Sequence, residues 1–246
     1  MKKLIKKALP VLFWIVIWQL VAIIIHNKIL MAGPIETLQK LIELSGNESF
    51  WASVGSSLGH ILLGFVIGTV LGIVFSFLAY KEELVRDFAR PIVGLLKTVP
   101  VASFVILLLI WLGSSNISIF ISAMVVFPII YVSTLEGFDA TDCKLLEMAH
   151  TFRMPEGNVI RYIYLPQLIP FFKSSFKLAI GMAFKSGIAA EVIGQPLETI
   201  GNGLYNAKIY LETGELFAWT IAIVVISFIC EKILLLLLHV MGGRKA

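Results

Sequence analysis

The feature that most constrains this chain is a series of long apolar stretches, each close to the length of a bilayer-spanning helix. A hydrocarbon core about 30 Å thick needs about 20 helical residues, and lipid offers no hydrogen-bond partner to an open backbone. The sequence therefore predicts an all-α, polytopic membrane protein with six transmembrane helices. The apolar stretches cover residues 9–25, 51–80, 91–112, 117–135, 168–193 and 216–240.

Composition supports a membrane protein built as a single domain. The 246 residues are 58% apolar and 15% charged, whereas soluble domains average about 45–50% and 25%. The first apolar stretch follows four lysines but lacks a small-residue cleavage site, so we interpret it as a span rather than a signal peptide. We predict that residues 1–50 form a cytoplasmic tail, this span and an external loop, and that residues 51–246 form the main transmembrane domain.

Basic residues predict the orientation of the spans. Twelve Lys and Arg residues fall in the two tails and in the segments 81–90 and 144–161. Three fall on the other side: Lys28, Lys40 and Lys208. Because cytoplasmic loops carry the excess of Lys and Arg, both termini and a polar segment at residues 136–167, between spans four and five, are predicted to be cytoplasmic. The basic residues form no single soluble patch, so the expected surroundings are a lipid membrane and not nucleic acid.

Glycine and proline inside the spans indicate how the helices pack. Small residues four apart form a smooth stripe on one face of a helix, which allows helix backbones to approach closely. The lining of a pore is a second interpretation of such a stripe. The second span carries five glycines, mostly at this spacing: Gly55, Gly59, Gly64, Gly68 and Gly72. Pro91, Pro100 and Pro128 each remove a backbone donor and predict kinks in spans three and four, as hinges or as ordinary packing features.

Three ionisable residues within or near the spans are candidates for lining a translocation path: Lys97, Lys185 and Glu191. A charge at a helix centre costs at least about 2.5–3.5 kcal/mol on insertion scales, and a lysine that faces a water-filled path would attract an anionic solute. A structural pair between Glu191 and either lysine is the other interpretation. The histidines and the two cysteines show no ligand or disulfide spacing, so we predict neither a metal site nor a cofactor.

The polar segment between spans four and five predicts two short helices. Residues 139–142 offer capping oxygens before apolar residues at helical spacing, from Leu145 to Phe152. Met154-Pro155-Glu156 suits a break and a restart, because proline is best tolerated in the first turn of a helix. The second helix is predicted to end at Pro166. The apolar faces of such helices either fold back on the bundle or dock into a partner.

The register of this segment resembles the EAA loop of ABC importer permeases. The family pattern is Glu-Ala-Ala, three residues, Gly, nine residues, Ile, one residue, Leu-Pro. This chain has Glu147-Met148-Ala149, Arg153, Ile163 and Leu165-Pro166 at the same spacing, with Met148 in place of an Ala and Arg153 in place of the Gly. The arginine puts the tight turn expected at that position in question. The resemblance implies that the loop couples to an ATPase through ten residues: Glu147, Met148, Ala149, Phe152, Arg153, Met154, Pro155, Ile163, Leu165 and Pro166.

The resemblance extends over about residues 50–240 and is strongest to permeases of the nitrate/sulfonate/taurine type, whose fifth span carries a string similar to residues 185–194. It implies the permease subunit of a binding-protein-dependent importer in a bacterial plasma membrane. The implied partners are ABC ATPase subunits, a second permease chain, expected to form a homodimer, and an external binding protein that delivers a small polar solute.

The source of energy separates this interpretation from its alternatives. The chain has no Gly-x-x-x-x-Gly-Lys-Ser/Thr loop for holding phosphates, so it is predicted not to be an enzyme and to depend on a separate ATPase. A self-sufficient secondary transporter or channel is the main alternative. Such proteins usually contain an internal repeat of spans, and none is clear here. A membrane-embedded enzyme would require a catalytic set that the sequence does not show.

Overall fold

Helices dominate the described part of the chain, which in this computed structural model comprises residues 2–27 and 29–242, with side chains described for residues 9–27 and 29–238. In chain order the elements are α1 (Lys2–Ile25), α2 (Pro34–Ser45), α3 (Glu48–Lys81), α4 (Glu83–Thr98), α5 (Val101–Leu112), α6 (Ile117–Asp139), α7 (Cys143–Thr151), α8 (Glu156–Val159), a π turn (Ile160–Tyr164), α9 (Leu165–Gly194), α10 (Ile200–Ile209) and α11 (Thr213–Gly242).

The central helix of the bundle is α6, which packs between α3 and α9. The contact between α3 and α6 is formed by glycines of the predicted stripe, which lie on α3. A Cβ atom at Gly68 would lie 2.7 Å from the carbonyl oxygen of Ala123, and one at Gly64 would approach the Ile119 carbonyl still more closely. Gly72 also faces α6, whereas Gly55 and Gly59 are exposed and have no atom within 4 Å of a Cβ position. The stripe therefore divides into a packed half and an open half.

The hydrophobic core fills the space where α3, α6 and α9 meet. Ile61, Val126 and Ile180, one from each helix, are almost completely buried there. Trp219 of α11 covers the side of this core, with its ring centroid 4.7 Å from that of Phe50. Because lipid tails are as apolar as these side chains, the contacts stabilise a membrane bundle by close van der Waals packing rather than by removing apolar surface from water.

Among the described residues, three helices are long and apolar enough to cross a membrane: α3, α6 and residues 213–238 of α11. A fourth crossing is possible if α4 and α5 count as one span, although they are bent by 104° at the break between them. The predicted third span, 91–112, is therefore not a single helix, and the kink predicted at Pro100 is confirmed. Val99 is extended because a following proline disfavours helical backbone at that position. Pro91 and Pro128 lie inside α4 and α6.

The remaining predicted spans correspond to α9 and α1. At 30 residues, α9 is about 45 Å long at 1.5 Å per residue, but its four charged side chains make it less apolar than the other long helices. The apolar part of α1 is shorter, Leu9–Ile25. It contacts the bundle through Trp18, whose ring centroid lies 5.5 Å from that of Phe217. Hydropathy and length thus identify three or four crossings among the described residues, fewer than the six predicted.

Two helices, α2 and α10, are not predicted by the sequence. Both lie at the end of the bundle opposite the polar loop, and both are too short to register as spans. Pro34 starts α2 at the position where a proline costs a helix least. Thr199 caps α10 by accepting a hydrogen bond from the Asn202 N–H at 3.2 Å. The segment expected to be a simple external loop is therefore partly helical.

Candidate functional site

The polar loop begins with α7, whose first turn is capped as predicted. The Asp142 carboxylate accepts a hydrogen bond from the Lys144 N–H at 2.9 Å, which satisfies one of the N–H groups left open at a helix start. Ala149 is 3% exposed, whereas Glu147 and Met148 point outward. A bulky residue in place of Ala149 would therefore disturb the packing of the loop.

Arg153 ends this part of the loop in the left-handed conformation, with φ of 50°. The Met154 N–H donates to the Ala149 carbonyl at 2.9 Å, and the Phe152 N–H donates to the Met148 carbonyl at 3.0 Å. A bond that reaches five residues back, beside a left-handed residue, is a helix ending at which glycine is preferred. Arg153 therefore makes the tight turn itself and does not extend the helix, at a cost of about 1–2 kcal/mol.

The outer surface of this turn is a ridge formed by Glu147, Met148, Phe152 and Arg153, called here the loop ridge. Phe152 is 77% exposed and Met148 is 43% exposed. Beside them lies a shallow cavity of about 360 Å³. Its lining residues are Leu146, Ala149, His150, Arg153, Met154 and Val159. Exposed Phe, Met and Arg side chains around a depression are typical of surfaces that another protein covers.

The loop returns to the bundle through a π turn. As predicted, α8 starts after Pro155, but the helix continues through Ile160–Tyr164 into α9, so the prediction that Pro166 ends it is wrong. The Leu165 N–H donates to the Ile160 carbonyl, five residues back. This change of hydrogen-bond pattern lets Pro166 enter at the start of α9, where its missing N–H costs little.

Three aromatic rings join the π turn to the ends of α3 and α6. In this aromatic cluster Tyr80 stacks on Phe138 at 5.1 Å between centroids, and Tyr164 meets them edge-on at 5.8 and 5.5 Å. The Tyr164 hydroxyl also bonds to that of Tyr80 at 3.4 Å. Burial, reinforced by this bond, raises the pKa of Tyr164 above its usual range, so the phenol stays protonated at physiological pH. The neighbouring Ile163 is buried, while Leu165 and Pro166 are exposed.

An uncovered face of α9 carries the first of the candidate path residues. Lys185 is exposed and lies nine residues before Gly194, where the helix ends, or roughly 14 Å from that end at 1.5 Å per residue. Gly181, one turn earlier, has open space in front of it. Lys97, in the last turn of α4, is also exposed. Among the residues with described side chains, neither lysine forms an ion pair with Glu191.

Glu191 lies inside the bundle and is 0% exposed. Its Oε2 accepts hydrogen bonds from the Ser57 hydroxyl at 2.7 Å and from the Gly201 N–H at 3.2 Å. The Ser57 oxygen in turn accepts from the Ile200 N–H at 2.9 Å. The carboxylate and the hydroxyl thus satisfy the first N–H groups of α10, which carry the positive end of the helix dipole. Gly201 is required here, because a Cβ atom would collide with Glu191.

Comparison with known proteins identifies the family. Residues 64–242 match the family described as the binding-protein-dependent transport system inner membrane component. The chain belongs to this family. Its relatives are ABC permease subunits, which are transporters and not enzymes, because a separate subunit carries out ATP hydrolysis.

Curated relatives of this permease match it along most of their length. It is 25% identical to the putative aliphatic sulfonates transport permease protein SsuC of Bacillus subtilis over 91% of this chain and 81% of SsuC. It is 23% identical to the taurine transport system permease protein TauC of Escherichia coli, over 87% of this chain and 80% of TauC. The formylaminopyrimidine transport permease protein ThiX of Halalkalibacterium halodurans is 26% identical, over 75% of each chain.

Solved structures share the fold of this permease. A chain from a bacterial ABC transporter involved in the import of the acidic polysaccharide alginate superposes with a TM-score of 0.64 at 15% identity, over 99% of this chain and 96% of that one. A chain of an amino acid ABC transporter crystallised with histidines gives a TM-score of 0.56 at 20% identity, over 76% of this chain and 90% of that one. At these identities the likeness is one of fold alone.

Several residues that organise this permease are missed by sequence reasoning. Ser57 contacts Glu191 across 134 positions of the chain, and no local pattern connects the two. Tyr80, Phe138 and Tyr164 follow no motif and meet only because three helix ends converge. Gly201 is different, because it lies in the first turn of α10, two residues after the capping Thr199. A glycine at such a position indicates that another segment approaches the helix closely, and this pattern is visible in the sequence.

Proposed function

We propose that this permease encloses the membrane path of an ATP-driven importer and that its loop, residues 139–166, docks onto an ABC ATPase subunit. The observation that carries the proposal is the loop ridge. It combines the register of the EAA loop with an exposed Phe152 and Met148, and the left-handed Arg153 supplies the turn at the position of the family's glycine. Nothing in the described part of the chain covers this ridge.

The contacts around the loop suggest how ATPase motion reaches the membrane. ATP binding would draw two ATPase subunits together and shift each docked loop. The π turn joins the loop to α9 without a break, and the aromatic cluster joins it to α3 and α6. A shift of the loop would then tilt three core helices together and favour one of two states of the path.

The candidate path residues support a solute that is small, polar and anionic. Lys185 lies on the uncovered face of α9, well inside the helix, where contact with lipid would be costly and contact with a hydrated path would not. Lys97 lies at the bend between α4 and α5. The names of SsuC and TauC point to aliphatic sulfonates and to taurine, which share an anionic sulfonate group. The hydrogen bonds of Glu191 support a structural role for that residue beside the path.

The proposed assembly is a six-span permease with both termini in the cytoplasm. In it α1 is the first span, the bent pair α4–α5 the third and α9 the fifth, and the excess of Lys and Arg on the loop side supports this orientation. Two identical permease chains would enclose the path. The open half of the glycine stripe and the uncovered face of α9 are surfaces that the second chain could cover. An external binding protein would deliver the solute.

The docking proposal is tested with Glu147→Lys, alone and combined with Ala149→Trp. The first change reverses a charge on the loop ridge, and the second forces a bulky ring into a buried position. We expect at least a tenfold loss of solute uptake in proteoliposomes containing the whole transporter, because a lost contact of about 1.4 kcal/mol already reduces binding tenfold. ATPase co-purification with the permease should fall in parallel.

A matched control is Glu136→Lys, which reverses an exposed carboxylate near the loop end of α6 but outside the loop. This variant should retain uptake and ATPase co-purification. Glu147→Lys alone separates docking from folding, because it alters only an exposed side chain. Normal uptake and co-purification in the double variant would show that the loop is not the docking site.

A further inference from the structure

An apolar groove opens between α3 and the π turn at the loop end of the bundle. It has a volume of about 440 Å³ and is lined only by apolar and aromatic side chains of α3, α6, the π turn and α9. Val74, Leu78, Ile160 and Leu165 line it and are each more than 40% exposed. Within the part of the chain whose side chains are described, no carboxylate lines the groove, so it has the character of a site for hydrocarbon.

Two cations lie next to residues that line this groove. The Lys81 Nζ is 5.0 Å from the ring centroid of Phe77, which lines the groove. Arg161 lies in the π turn, one helical turn before Leu165, which lines the groove, and its guanidinium carbon is 5.8 Å from the ring centroid of Tyr162. Both cations are exposed, and neither forms an ion pair among the residues with described side chains. An apolar slot therefore lies beside two exposed cations, of which Lys81 also borders a polar cavity that Glu83 and Asp87 help to line.

We infer that this groove binds one anionic phospholipid of the cytoplasmic leaflet, with an acyl chain in the slot and the phosphate between Lys81 and Arg161. Basic residues beside apolar slots at the cytoplasmic boundary are suited to anionic headgroups, at about 1 kcal/mol per Lys or Arg. A protein partner with an apolar face would have to bury both cations without a counter-charge, which is costly. The inference requires only that the loop end faces the cytoplasm and does not depend on ATPase docking.

The bound lipid would also contact the coupling apparatus. Tyr164 and Phe138 belong both to the groove wall and to the aromatic cluster. An acyl chain packed against them would stabilise the state in which the π turn lies against α3. A ligand that binds only the folded state raises its stability by mass action, so phosphatidylglycerol should raise the melting temperature of the detergent-solubilised chain.

The test is native mass spectrometry of the full-length chain in detergent, titrated with phosphatidylglycerol or phosphatidylcholine. One phosphatidylglycerol should bind more tightly than the rest. Lys81→Ala and Arg161→Ala should each weaken that binding about fivefold, while phosphatidylcholine binding stays unchanged. Val74→Trp, which fills the slot from an exposed position on α3, should remove both the tight binding and the thermal stabilisation without altering either cation.

The matched control is Arg90→Ala, which removes an exposed cation from the same end of the bundle but outside the groove. It should bind phosphatidylglycerol like the unchanged chain. If the unchanged chain and every variant bound phosphatidylglycerol and phosphatidylcholine equally well, the groove would be an ordinary lipid-facing surface without headgroup preference, and the inference would be overturned. Oxidation of Val74→Cys to a dimer in membranes, in a background with Cys143→Ser and Cys230→Ser, would overturn it as well, by showing that a second chain covers the groove.

Discussion

Glu191 illustrates how a single charged residue can serve the structure of a membrane bundle. A buried carboxylate needs hydrogen-bond donors to offset its lost hydration. Here a hydroxyl of α3 and a backbone N–H of α10 both donate to Oε2, whereas Oε1 is buried without a hydrogen-bond partner among the described residues. The residue therefore joins the end of α9 to α3 and to the start of α10. Its type suggested a path residue or a partner for a lysine, but its contacts are those of a helix cap.

Replacement of Glu191 separates these roles. Glu191→Gln keeps an oxygen that accepts from Ser57 and Gly201, so we expect near-normal thermal stability in detergent and normal uptake. Glu191→Ala leaves both donors without an acceptor, which should lower stability by about 2–4 kcal/mol. A Gln variant that melts normally but fails to transport would show instead that the negative charge acts on the solute.

At the scale of structural elements, the loop forms the tight turn expected at residue 153 although arginine occupies the position where the family pattern has glycine. The Met154 N–H to Ala149 carbonyl bond fixes the position of Arg153 and leaves it only the left-handed conformation. A hydrogen bond of this kind contributes about 1 kcal/mol, comparable to the cost of placing a non-glycine residue there. The local geometry therefore persists, and the guanidinium group is added to the loop ridge.

Arg153→Gly and Arg153→Ala distinguish the turn from the charge. Glycine removes the left-handed strain but makes the unfolded chain more flexible, so the net gain in stability should be about 0.5–1 kcal/mol. Alanine keeps the strain and removes the charge. Higher thermal stability is expected for the glycine variant only, and a lower melting temperature for it would contradict the assigned turn. If the guanidinium group binds the ATPase, both variants will lose coupling; if only the turn matters, both will retain it.

The loop was predictable in its parts but not in its connection to the bundle. The cap at Asp142, the restart after Pro155 and the register of the ten loop residues all follow from local sequence rules. The continuation through the π turn does not, because proline rules describe an isolated helix. Here Tyr164 is held against Tyr80 and Phe138, and these tertiary contacts favour a widened turn over a helix end.

At the scale of the whole molecule, orientation decides what each surface meets. Charge asymmetry predicts that the polar loop lies in the cytoplasm, and the fold places α2 and α10 at the opposite end. In the proposed orientation the loop ridge and the apolar groove beside the π turn face the cytoplasmic side, and the hydrogen bonds of Glu191 stabilise the external side. The two ends of the bundle are joined by α3, α6 and α9, so a tilt of these helices changes both.

Cysteine labelling tests this orientation with a residue that the chain already contains. Cys143 is exposed at the start of α7, whereas Cys230 is half-buried in α11. A membrane-impermeant maleimide should label Cys143 in inside-out vesicles and not in intact cells. Tyr210→Cys, at an exposed position after α10 and in a chain that also carries Cys143→Ser, should show the opposite pattern. The chain with Cys143→Ser alone is the unlabelled control. Labelling of Cys143 from outside intact cells would reverse the proposed topology.

The sequence by itself determined the properties that depend on near neighbours in the chain. Apolar stretches and composition gave an all-helical membrane protein, loop charges gave a predicted orientation, and the spacing from Glu147 to Pro166 gave the family and the expected site. Each of these depends on partition between water and lipid or on local hydrogen bonds, which a one-dimensional pattern records.

Only the tertiary structure decided which residues meet across the bundle. It divided the glycine stripe into a packed half and an open half, and it showed that the third span is bent at Pro100. It also showed that Glu191 accepts hydrogen bonds from Ser57 and from the start of α10. It also brought the three rings of the aromatic cluster together. In lipid, helices associate through close packing and buried hydrogen bonds rather than through burial of apolar surface. Such contacts depend on the rotation and tilt of each helix, which hydrophobicity along a single chain does not encode.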